Sequence, residues 1–188
     1  MKKTVLAFCF LMLLGCTKQS ARPQQQAEAD QMAIVQLEEA LLRLDASKEA
    51  AGEAHLIAKS LVDQTRETNK EFRMTGGPKW HNFLIKMGAR KKGYCYEWVP
   101  ELLKALPPTP MKYFERHWGG SFMSMGRENN AVIITKRGAP LETGLVYDAW
   151  RGVGKPFWIP VAKDKKYRWS QRFNETQILM GEAKVEPK

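Results

Sequence analysis

Between residues 27 and 72 the chain contains no proline and one glycine, Gly52, while alanine, glutamate, lysine and leucine dominate. Such a stretch favours helix, because the residues that break helices are missing and the abundant ones lose little side-chain freedom in one. Ile34, Leu37, Leu41 and Leu44 recur at three- and four-residue spacing, and Ile57, Ala58, Leu61 and Val62 renew the apolar face, as an amphipathic helix requires. The polar stretch 47–53 is either a bend in one long helix or the turn of a helical hairpin. The apolar stripe admits two uses. It is a coiled-coil arm that oligomerises or binds a partner, or a helix packed on the following domain.

Ahead of this arm, residues 1–15 read as a secretion signal, with Lys2 and Lys3 before a short apolar run containing Cys9. That run is shorter than the roughly 20 apolar residues that cross a bilayer. Leu13, Leu14, Gly15 and Cys16 resemble a bacterial lipobox, which implies acylation of Cys16 and cleavage before it. A multiply acylated cysteine anchors firmly where one chain holds only marginally. By resemblance to lipoprotein sorting, Thr17 directs the protein to the outer membrane, facing the periplasm. Residues 16–26, polar with Pro23 and a glutamine run, read as a flexible tether.

Losing Lys2 and Lys3 lowers the net charge from +10 to about +8, a balance that speaks to association with anionic surfaces and not to fold. No basic stripe interleaved with aromatics is present, so nucleic acid is not an expected partner. With Cys16 acylated, Cys95 has no disulfide partner in the mature chain. It is either buried and inert or kept for chemistry.

From residue 73 onward aromatics, glycines and prolines become common, in an amount suited to one compact α+β domain, residues 73–188. Residues 78–87 suggest a short helix with Trp80, Phe83, Leu84 and Met87 on one side, and residues 94–106 a second with Trp98, Leu102, Leu103 and Leu106. Pro107, Pro108 and Pro110 end it. Residues 131–135, 145–147 and 157–161 are short strand candidates, the first two joined by a hairpin connection through Gly138 and Pro140, giving a small antiparallel sheet. Trp150, Trp158 and Trp169 are spaced for packing, and the clusters 90–92 and 163–166 read as solvated basic loops.

This order puts Cys95 at a helix N-terminus, where free amides and the helix dipole favour thiolate. The segments Gly93-Tyr94-Cys95-Tyr96-Glu97-Trp98, Glu128-Asn129-Asn130-Ala131-Val132 and Val146-Tyr147-Asp148-Ala149-Trp150-Arg151 resemble the papain-like and transglutaminase-like cysteine hydrolases. They also resemble an uncharacterised group of bacterial lipoproteins. The resemblance implies a nucleophile at Cys95, a general base at Asn129 and an orienting carboxylate at Asp148. Asn129 departs from that pattern, since an amide has no protonation equilibrium near neutral pH and cannot exchange a proton with thiol or leaving group. His117, in the sequence Arg-His-Trp-Gly-Gly, is the alternative base if its chain returns to the cleft; His81 is expected to make a structural hydrogen bond. Cys95, His81 and His117 lack metal-ligand spacing, and no phosphate loop or cofactor motif is evident.

The expected function is therefore a lipid-anchored envelope protein that binds or scaffolds an envelope protein or cell-wall partner through a degenerate hydrolase-like domain. Two alternatives stand beside it: a thiol hydrolase or acyl transferase on amide bonds of cell-wall peptide or envelope protein, using Cys95, and a structural subunit of an envelope assembly.

Overall fold

The computed structural model describes residues 21–123 and 128–185, so the signal segment, Cys9 and Cys16 lie outside the described residues. Helix α1 (Ala21–Leu42) is followed by a turn and a single 3-10 segment, Lys48–Ala50, which leads directly into α2 (Ala51–Phe72). The two uses of the 47–53 stretch are thereby resolved in favour of a hairpin. Helix α1 starts inside the segment expected to be a tether: from Ala21 to Gln26 the chain is already helical. Pro23 sits in the first turn, where its missing N–H costs nothing, and the glutamines that follow are good helix formers.

Helices α3 (Pro78–Lys86) and α4 (Cys95–Lys104) come next, then strands β1 (Phe114–Ser121), β2 (Asn129–Lys136), β3 (Leu145–Tyr147), β4 (Trp158–Pro160) and β5 (Ser170–Phe173), and finally α5 (Glu175–Leu179). The strands form one antiparallel sheet in the order β4-β3-β2-β1-β5. The fold is α+β. The hairpin expected across residues 136–144 joins β2 to β3.

Strands β1 and β5 were not expected from the sequence. Gly119 and Gly120 suggest a turn, yet both lie within β1, opposite Ala131 and Asn130. They are glycine because of close packing: a Cβ at Gly119 would run into the Ile133 side chain, and one at Gly120 would meet the Met123 sulfur at 2.7 Å. A register irregularity between Trp118 and Gly119 then fits β1 to β5.

The arm and the domain share one hydrophobic core. Leu37, Leu41, Ile57 and Leu61 are 1 % exposed or less and belong to the same cluster as Trp98, Leu102, Phe114, Val132 and Tyr147. Phe72 meets Trp98 edge-on at 5.0 Å between ring centroids. The Tyr147 hydroxyl donates to the Leu61 carbonyl at 3.1 Å and lies 2.8 Å from Thr65 Oγ1. Near the start of α2, the Glu53 carboxylate accepts the backbone N–H groups of Lys112, Tyr113 and Phe114 at 2.7 to 2.9 Å, holding the chain where it enters β1. The apolar stripe of α1 and α2 is thus buried between the two helices and toward α4, in one core with the sheet, so the helical segment packs on the domain that follows it. The opposite sheet face carries a second, smaller cluster, Ala131, Ile133 and Val146, covered by Leu141, Ile159, Val161 and Trp169.

Helix α3 also differs from expectation. Its buried residue is His81, while Trp80, Phe83 and Met87 are exposed, at 51 %, 48 % and 66 %.

Candidate functional site

Cys95 is the first residue of α4, and Tyr94, extended at φ −65° and ψ 154°, is its N-cap. The Glu97 carboxylate turns back to accept the N–H groups of Gly93 and Tyr94 at 2.8 and 2.9 Å. A side-chain anion therefore lies at the helix start, on the two N–H groups that precede Cys95. The thiol itself is 6 % exposed. It donates to the Glu128 carbonyl at 3.6 Å and receives the Asn130 side-chain N–H at 3.8 Å. Burial pushes its pKa up to about 11, a rise that the Asn130 contacts oppose only in part. Burial thus works against the thiolate that the helix terminus favours at Cys95.

The amide beside the sulfur is Asn130, and its hydrogen-bonding capacity is full. Its Nδ2 donates to the sulfur and to Glu128 Oε1, the latter at 3.0 Å, while its Oδ1 accepts from Trp118 Nε1 at 2.8 Å and from Arg172 at 3.1 Å. Arg172 also pairs with Glu128. An amide with both N–H groups and both lone pairs engaged is a structural node.

Asn129 belongs to a different network. Successive strand residues point to opposite faces, and Asn129 Nδ2 donates to Asp148 Oδ2 at 2.9 Å while its Oδ1 accepts the Asn130 N–H at 2.9 Å. Asp148 Oδ1 accepts the Arg151 backbone N–H at 2.9 Å, and Arg151 Nε lies 3.3 Å from Oδ2. Burial raises the Asp148 pKa above the usual aspartate value despite these donors and the arginine charge. Arg151 continues to Asp164, donating at 2.8 and 3.1 Å, and its guanidinium lies between the rings of Phe157 and Tyr167 at 4.5 and 5.0 Å. Trp169 Nε1 donates to the same carboxylate at 2.9 Å. Burial acts to raise Asp164, but the Arg151 and Trp169 hydrogen bonds prevail and its pKa lies below the ordinary range. The structure therefore brings Asn129 to Asp148, and Cys95 to Asn130.

No histidine lies within hydrogen-bond reach of the sulfur among the described residues. His117 stands on β1 beside Trp118, whose indole reaches Asn130, so the imidazole points to the other sheet face, where Nε2 lies 3.0 Å from Thr135 Oγ1. Burial lowers its pKa from the ordinary value of 6.5, which keeps it neutral. The possibility that the glycines return His117 to the cleft fails because those glycines continue the strand. His81 is fully buried, and its Nε2 donates to the Lys92 carbonyl at 2.9 Å; it fastens α3 to the turn before Cys95, the structural role expected of it. Gly93, at φ 125°, leaves the space its ring needs. His55 is on α2, exposed, 2.7 Å from Glu38.

Trp118, Arg172 and Asp164 were not singled out by sequence reasoning, since each acts through residues distant in the chain. The available signal was the Arg-His-Trp-Gly-Gly segment itself, whose alternation places tryptophan and histidine on opposite faces once it is recognised as a strand. Among the described residues, no group of three or more His, Cys, Asp or Glu side chains is placed to hold a metal ion, and no helix is long and apolar enough to cross a membrane. No family model, curated protein or solved structure matches the chain.

Proposed function

We propose that this chain is a lipid-anchored envelope protein, held in the outer membrane and facing the periplasm through acylated Cys16, whose α+β domain is a degenerate relative of the papain-like and transglutaminase-like cysteine hydrolases and acts in binding or scaffolding. The observation that carries the reading is the environment of Cys95: a buried thiol, at a helix N-terminus as in those hydrolases, held by an amide and a backbone carbonyl. Hydrolysis or acyl transfer at an amide carbonyl needs a thiolate to attack and an acid to protonate the leaving amine. Asn130 supplies neither a base nor an acid, and Asp148 is occupied by Asn129 and Arg151. The polar network instead fixes the end of the sheet to α4, which gives a rigid platform for partner contacts.

The test combines covalent capture of partners in intact envelopes with an assay of amide hydrolysis on cell-wall peptide. The Cys95→Ala protein should capture the same partners as the parent, and neither should release amine. Loss of capture with Cys95→Ala, at unchanged fold and abundance, would contradict the scaffold reading. Turnover by the parent that vanishes in the variant would replace it with the hydrolase reading.

A further inference from the structure

The outward face of α3 is apolar where a buried face was expected. Trp80 and Phe83 stack at 5.3 Å between centroids with a 26° interplanar angle, and Met87 continues the stripe one turn further on. Gly76, at φ 64°, lies against the Trp80 ring and props it outward: a Cβ there would meet the indole Cδ1 at 2.5 Å. His81 and Asn82 hold the helix from beneath, the first through Lys92 and the second through the Trp150 indole at 3.2 Å. The exposed rings are therefore carried on an anchored helix.

Cations accompany this stripe in the sequence. Between Glu71 and Glu97 the sequence has no acidic residue and six basic ones, Arg73, Lys79, Lys86, Arg90, Lys91 and Lys92. Lys92 pairs with Glu71 at 2.9 Å, whereas Lys79, Lys86 and Lys91 are exposed and have no ion pair among the described residues. An aromatic and methionine ridge flanked by exposed lysines matches the interface of an anionic bilayer, with rings at the level of the acyl boundary and ammonium groups among phosphates.

The path of the chain agrees. Asp30 of α1 pairs with Arg66 of α2, and Gln26 faces the same groove as Asn69, Lys70 and Met74. The antiparallel hairpin thus brings the start of α1 to the end of α2 that leads into α3. The first turns of α1 therefore lie at the end of the hairpin from which α3 follows.

We infer that α3 and the turn after it form a membrane-docking surface for anionic phospholipid, separate from any acyl anchor and serving to orient the domain on the bilayer. The test uses residues 17–188, which contain every described element and the whole core but carry no acyl group, so that it fails or succeeds independently of lipidation at Cys16. The protein is sedimented with phosphatidylcholine vesicles, with and without phosphatidylglycerol. Binding should require the anionic lipid, fall with added salt, weaken roughly fivefold for each of Lys79→Gln, Lys86→Gln and Lys91→Gln, and drop at least tenfold for the Trp80→Ala, Phe83→Ala double variant. Met87→Gln, an uncharged change at the most exposed of the three positions, supplies the apolar test should the double variant unfold. Absence of binding to anionic vesicles, equal binding to neutral ones, or full binding by the folded Trp80 and Met87 variants would overturn the inference.

Discussion

Asn130, and not its neighbour Asn129, faces the Cys95 thiol: the amide nitrogen lies 3.8 Å from the sulfur, while Asn129 is turned to Asp148 at 2.9 Å. The thiol and the carboxylate that a hydrolase would join through one imidazole are thus served by two amides pointing to opposite faces of β2. The first consequence concerns stability. Asn130→Ala orphans the Trp118 indole N–H and removes one acceptor from Arg172, and each buried group left unsatisfied costs on the order of 1–3 kcal/mol. Urea denaturation should show a loss of at least that size. A loss below about 0.5 kcal/mol would mean that the amide is not the node described.

The shared core makes the helical hairpin inseparable from the sheet. Leu61→Ala, at a site with no exposure, should destabilise the protein by about 2–5 kcal/mol, the range for truncating a buried leucine. Circular dichroism and tryptophan fluorescence should report one coincident transition, because Leu61 on α2 and Trp98 on α4 belong to one cluster. Two separate transitions, or a folded fragment lacking residues 31–72, would restore the picture of an independent arm.

His117 gives the stability a defined pH dependence. Its folded pKa lies below the ordinary 6.5 because burial disfavours the imidazolium. A depressed histidine binds its proton more readily in the unfolded chain, so its contribution is fully present above about 6.5 and is lost as pH falls through the folded value. The urea midpoint of the parent should therefore drop between neutral pH and pH about 5 by more than that of His117→Gln. Equal drops would place the titration elsewhere.

Much of this arrangement follows from local sequence. The helical stretch 27–72, the helix beginning at Cys95 and the β2–β3 hairpin are legible because periodicity, a proline stop and a glycine-proline turn act over a few residues. The sequence left the α1–α2 turn as one of two alternatives, and β1 and β5 were not legible, for long-range reasons. Gly119 and Gly120 are small to admit Ile133 and Met123, a requirement with no local signature. The face of α3 was inverted because His81, the residue that reads as polar, is the one buried, by virtue of a carbonyl eleven positions away. At the site, Asn129 meets Asp148, but strand alternation puts Asn130 and not Asn129 beside the Cys95 thiol.

The most direct test is the pH profile of Cys95 alkylation by iodoacetamide in the native protein, followed by mass spectrometry. A thiol pushed up to about 11 carries about a hundredfold less thiolate at neutral pH than an exposed cysteine. Native alkylation should be at least that much slower than in urea, with a rate that climbs through pH 9 without a plateau. Fast alkylation at pH 7 that levels off near neutrality would reveal an activated nucleophile and contradict the account.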